Sequence, residues 1–205
     1  MEASNSNSRL EAFSDGVFAV ALTLLVIDIK VPNGEAIKTT EDLWLAIGHL
    51  TPSIFAFLLS FIIILIAWVN HHGTLKLVHK SSPTFIFANG FLLLTIVILP
   101  FATALLSENL LTDHATPAVV VYAAVNALQS LAWIFLGHAG LGSDPLTKND
   151  KAFLVARAGR RSSYLSLAMN ILLVVLAFWY PLIVAFLLGA IWLGWLVYGI
   201  SMSSE

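Results

Sequence analysis

Ser14, Asp15 and the pair His71-His72 are the residue types of a hydrolytic triad, and together with Arg9 and Asp28 they are embedded in or beside strongly apolar stretches of the chain. Spacing argues against that chemistry. Ser14 and Asp15 are neighbours, and on a helix their side chains diverge by about 100°. No G-x-S-x-G or H-E-x-x-H is present. Gly140-Leu141-Gly142-Ser143-Asp144 is one residue off the G-x-G-D pattern of intramembrane aspartyl proteases and falls in a loop. His71 and His72 also point to different faces, and His79 lies in a basic loop, so a metal site is not expected. Hydrogen-bonding or interfacial roles suit these histidines better. With no cysteine in the chain, thiolate catalysis and disulfides are excluded. Neither enzyme, cofactor nor metal centre is expected, and no basic stripe points to nucleic acid.

The elements that hold these groups must live in lipid. Hydrophobic residues fill 59% of 205 positions and charged residues 11%, with a mean hydropathy of +0.89. Soluble domains carry about a quarter charged residues. A crossing helix takes roughly 20 apolar residues, and the apolar runs are continuous rather than alternating, so the fold class is all-α. Six transmembrane helices in one domain are predicted, over roughly 9–31, 42–72, 83–106, 117–139, 150–179 and 181–201. The polar start lacks a basic region and a cleavage site, so the first apolar segment is expected to stay in the mature protein.

Local signals set these bounds. Ser8 and Glu11 fit an S-x-x-E capping box. Ser82-Pro83 and Thr116-Pro117 each place a hydroxyl before a proline at a helix start. Pro100 is expected to kink the third helix, and Trp179-Tyr180-Pro181 forms a turn unless it is a kink in a single long helix. Lysine and arginine orient the bundle. With the N-terminus inside, Arg9, Lys76, Lys80, Lys148, Lys151, Arg157, Arg160 and Arg161 lie inside, and Lys30 and Lys38 outside. Both termini are therefore predicted to be cytoplasmic, in a multi-pass protein of the cell membrane.

Ionisable groups inside a membrane need a partner or a water-filled cavity. Asp15 and Arg9 on helix one share a level with Asn70, His71 and His72 at the end of helix two. A network of Arg9, Asp15 and one histidine would satisfy the carboxylate; alternatively, Asp15 reaches headgroup water. Val20, Leu24 and Ile27 form one stripe of helix one, with Thr23 beside it and Asp28 a turn above Leu24. In a single subunit the stripe is a packing face. Around a central axis it would line an apolar constriction, and Asp28 would give a ring of carboxylates at its mouth. Lys30 would partly neutralise that ring or point to headgroups.

Arg9-Leu10-Glu11-Ala12-Phe13-Ser14-Asp15-Gly16 reads as R-x-x-x-F-S-D-G at the start of a first transmembrane helix. This resembles the signature of the family named for transmembrane protein 175, the lysosomal potassium channel, whose prokaryotic members are short single six-helix units. Asn70-His71-His72 also resembles the family's histidine-bearing segment. The resemblance implies a homotetramer with helix one from each subunit around the pore, and no T-V-G-Y-G filter; this chain has none. It implies narrow points at Val20, Leu24 and Ile27, with Thr23 as a polar layer. Val20 is smaller than the isoleucine or leucine often found at the innermost ring. Arg9, Phe13, Ser14 and Asp15 would then be structural, tying helix one to Asn70, His71 and His72 and to Asn89 of helix three.

The expected function is passive, selective potassium permeation: Asp28 concentrates cations and the apolar rings impose a dehydration cost. The alternative is a proton-coupled secondary transporter using Asp15 and the helix-two histidines, since some family members also pass protons. Transporters usually show broken helices and internal repeats, and no repeat is visible.

Overall fold

The computed structural model describes residues 7–34, 37–142 and 145–202, with side chains through Val197. Seven helices follow in order: α1 (Ser8–Leu24), continued by a 3-10 turn (Leu25–Asp28), α2 (Thr40–Gly48), α3 (Thr51–Leu77), α4 (Pro83–Asn109), α5 (Ala115–Gly140), α6 (Asp150–Ala177) and α7 (Pro181–Met202). Among the described residues the only extended pairing is an isolated antiparallel bridge between Val78 and Thr147. It joins the α3–α4 and α5–α6 connections, and Asn7 Nδ2 donates to Val78 O beside it, at 3.2 Å.

In place of one helix over 42–72 there are two, broken between Gly48 and Thr51. Pro52 explains the break. Its missing N–H is the one that would have bonded to the Gly48 carbonyl, and its ring would crowd that group. Thr51 Oγ1 donates to Gly48 O instead, at 2.6 Å. Beyond the break nothing stops α3 until Leu77, so the histidine pair lies inside the helix rather than at its end.

Two caps differ from expectation. Asn7, not Ser8, precedes α1, and no side-chain cap forms there; Glu11 is engaged elsewhere. Helix α5 starts at Ala115, so Thr116 already lies in its first turn. At the start of α4 Ser82 caps as expected, its Oγ accepting from Phe85 N at 3.2 Å, and at the start of α6 Asn149 Oδ1 accepts from Ala152 N at 2.9 Å. Helix α4 continues through Pro100 to Asn109.

The main core gathers Phe18, Leu25, Ile63, Ile64, Ile96 and Leu106 with residues of α5, α6 and α7. Within it Ser60 Oγ lies 2.6 Å from Thr103 Oγ1 and 2.8 Å from Tyr122 Oη, pinning α3, α4 and α5 by polar contacts. Such contacts join membrane helices that share apolar surroundings. Among the described residues four helices are long and apolar enough to cross a bilayer: α1 with its 3-10 turn, α3, α4 and α5. Helix α7 is apolar over Pro181–Val197, and α6 joins a basic first half to an apolar second half. Large apolar side chains such as Leu165, Phe186 and Trp179 are exposed, a surface suited to lipid and rare on soluble monomers.

Candidate functional site

Helix α1 divides into two faces. Ser14, Phe18, Ala21 and, past the helix, Leu25 are buried against α3 and α4. Spaced three and four residues apart, they form one stripe. Serine rather than a larger residue at position 14 gives that stripe a donor and acceptor where α4 passes.

A directed chain of hydrogen bonds runs through the stripe. Ser14 Oγ donates to Leu10 O at 2.8 Å and accepts from Asn89 Nδ2 at 3.1 Å. With its amide nitrogen so used, Asn89 presents Oδ1 to His71 Nε2, 2.6 Å away. His71 Nε2 is thus the donor, because an amide oxygen can only accept. Its Nδ1 is buried, with no hydrogen-bond partner among the described residues. The His71 ring also packs at 5.4 Å on Phe18.

A second, more exposed set runs alongside. Trp68 Nε1 donates to Asp15 Oδ1 at 2.9 Å, and the indole stacks on His72, centroids 6.1 Å apart. His72 Nδ1 lies 3.1 Å from Glu11 Oε1. The grouping of Arg9, Asp15 and a histidine is therefore not the one formed. Asp15 meets an indole, His71 an amide and His72 a different carboxylate. Arg9 is exposed and makes no polar contact among the described residues, and the exposed Asn70 contributes only its carbonyl, to Thr74 Oγ1 at 2.8 Å. The histidines do not converge on one point either, since His79 pairs through its backbone with Leu146. Ser143 and Asp144 of the near G-x-G-D pattern lie outside the described residues.

Glu11, Trp68 and Phe18 were missed by sequence reasoning. Their signal was spacing: Glu11, Ser14, Asp15 and Phe18 repeat at three- and four-residue steps, as do Trp68, His71 and His72. Two such ridges facing one another is the ordinary pattern of packed helices.

The opposite face of α1 is uncovered. Phe13 is 64% exposed, Val20 57%, Leu24 42% and Ile27 68%. Thr23 is exposed between them, its Oγ1 donating to Val20 O at 2.8 Å. The change to 3-10 winding at Leu25 gives about three residues per turn, so Leu24 and Ile27 stand almost one above the other. Asp28, half-exposed, closes this turn. Lys30 swings away to α4, its Nζ 2.6 Å from Glu108 Oε1. The Glu108 carboxylate raises the Lys30 ammonium above its ordinary pKa, so the lysine keeps its charge.

A family model described as endosomal/lysosomal potassium channel TMEM175 matches residues 9–100. A potassium channel of Chamaesiphon minutus is 46% identical over 121 residues, 59% of this chain and 59% of that protein. One of Streptomyces collinus is 40% identical over 146 residues, 69% of each. The matched stretch thus spans less than two thirds of the Chamaesiphon channel's length. A crystal structure described as a lysosomal potassium-selective channel TMEM175 homolog from Chamaesiphon minutus superposes with a TM-score of 0.79 at 34% identity, covering 91% of this chain and 95% of that one.

Proposed function

As the chain belongs to the TMEM175 family, we propose that it forms a potassium channel whose pore lies where copies of α1 meet. The observation that carries this reading is the composition of the uncovered α1 face. Val20, Leu24 and Ile27 are exposed there with a polar Thr23 among them and a carboxylate, Asp28, at the end. Lipid has no use for the last two, since a charge facing hydrocarbon is costly. An aqueous axis suits both. Four copies, each with six crossings and both termini in the cytoplasm of the cell that bears the channel, are the assembly proposed. The six crossings are α1, α3, α4, α5, α6 and α7, with α2 lying at the outer boundary.

The residues then divide the work. Asp28, with Lys30 drawn aside by Glu108, raises the local cation concentration at the outer mouth. Rings of Ile27, Leu24 and Val20 narrow the path and strip water while offering no replacement ligand. Potassium sheds water more readily than sodium, so such rings favour it, and Thr23 supplies a brief polar layer between them. Arg9, Phe13, Ser14, Asp15, Asn70, His71, His72 and Asn89 are proposed to hold or flank α1 rather than touch the ion. The geometry gives little to the alternative of proton-coupled transport, because Asp15 and the histidines have separate partners.

Purified protein in liposomes under opposed potassium and sodium gradients tests the proposal. A reversal potential close to that of potassium is expected. Currents absent at every voltage and pH would reduce the reading to a shared fold.

A further inference from the structure

Arg157, Arg160, Arg161 and Tyr164 follow one another at three- and four-residue spacing on α6, so they share one face. Asp150 is the only acidic residue of α6, and α5 has none. Among the described residues no carboxylate pairs with any of the three guanidinium groups. Arg160 is seated against α5: a methyl group on Gly137 would stand 3.1 Å from its Cγ, so glycine is what admits the arginine stem. Arg160 Nη1 lies 3.4 Å from His138 Nδ1, which must accept because the guanidinium has no lone pair to offer. His138 therefore carries its proton on Nε2 and donates to Tyr164 Oη at 2.7 Å. The tyrosine hydrogen is then left free to donate outward.

Directly beyond this cluster the same side of α6 turns apolar, with Leu165, Ile171 and Leu172 exposed. Along the helix the order is guanidinium, phenol, hydrocarbon. A phospholipid presents the complementary groups in the same order: phosphate, glycerol backbone, acyl chain. Arginine forks match phosphate oxygens, and basic residues at the end of a membrane helix attract anionic headgroups. We propose that the α6 face of Arg157, Arg160, Arg161 and Tyr164, beside Gly137 and His138 of α5, binds the phosphate of an anionic phospholipid.

The test is lipid retention, read without ion flux, so its outcome is separate from whether the protein conducts. Full-length protein in neutral detergent is titrated with phosphatidylglycerol, and bound lipid is counted by native mass spectrometry. Arg157→Gln with Arg161→Gln should weaken binding about tenfold, and Tyr164→Phe about twofold. Lys151→Gln removes one charge from α6, as Arg161→Gln alone does, but lies six residues before Arg157 and so on another face; it should change nothing. Were the double variant to lose its fold, judged by elution and circular dichroism, Arg161→Gln alone and Tyr164→Phe carry the test. Three results overturn the proposal. Lys151→Gln weakening retention as much as the arginine variants would mean diffuse surface charge. Phosphatidylcholine binding as tightly as phosphatidylglycerol would mean no anionic site. Displacement of the lipid by millimolar inorganic phosphate would mean a free phosphate site.

Discussion

The two faces of α1 obey opposite rules although they share one backbone. On the buried face every polar atom of Ser14 and Asn89 that the chain uses is matched in a fixed direction, ending on the Leu10 carbonyl. On the other face apolar side chains stand exposed with a hydroxyl and a carboxylate among them. Removing one partner from a buried hydrogen-bonded chain strands the others, which costs more than the bond itself is worth. An uncovered apolar ring is different: nothing in the subunit depends on it, so substitution there should alter permeation and spare the fold.

That contrast can be broken most forcefully at Ile27. Ile27→Asn places an amide in the outer ring and is expected to shift the potassium–sodium permeability ratio about tenfold, equivalent to ~1.4 kcal/mol of barrier. Reversal potentials in liposomes measure it, and Leu24→Ala should act in the same sense. If neither changes the ratio, the constriction is not on α1. The melting temperature in detergent should stay near that of the parent protein.

Asn89→Ala makes the complementary experiment on the buried face. It strands His71 Nε2 and takes one donor from Ser14 Oγ, which keeps its bond to Leu10 O, and a loss of about 1–3 kcal/mol is expected, visible as a lower melting temperature. Ion preference of the surviving channels should be unaltered. A shifted permeability ratio with unchanged stability would reverse the roles given to the two faces.

Asp28→Asn should have a milder, salt-dependent effect. Surface charge acts through a field that about 0.1 M salt screens within 10 Å. Single-channel current should fall about twofold in dilute potassium and recover at ~1 M. A deficit that persists at high salt would mean that Asp28 binds the ion directly.

The smallest effect belongs to α2, remote from both faces. There Lys38 N and Thr39 N donate to Asp42 Oδ2 at 3.0 and 2.8 Å, while Asp42 N donates to Thr39 Oγ1 at 3.1 Å. The backbone amides of Lys38 and Thr39 hold the Asp42 carboxyl below its usual 3.8. A depressed folded-state value adds stability that is complete above the unfolded value and is lost as pH falls through the folded one. The start of α2 should therefore fray only below about pH 3.8, as seen in faster amide exchange. Fraying already at pH 6 would show that the box does not form.

Sequence alone determined the solvent and the broad architecture, because both follow from additive quantities. Long apolar runs leave no other environment for the chain, and their continuity selects helix over strand. A local signal was legible at Ser82, whose partner lies within one turn. The break at Pro52 was equally local, yet α2 was misread as the head of a longer helix. There the apolar content of Leu43, Trp44, Leu45 and Ile47 resembled a membrane span.

Tertiary structure alone decided who meets whom. Glu11 forms no capping box, since Ser8 already lies inside α1, and its carboxylate instead lies 3.1 Å from His72, 61 positions away by number. Asp15 took the indole of Trp68 rather than a histidine, and His71 took Asn89. These choices depend on the rotation and depth at which α1, α3 and α4 pack, and a shift of one residue on a helix turns a side chain by about 100°. Residue types revealed that polar groups in lipid must find partners; only the packed bundle selected them.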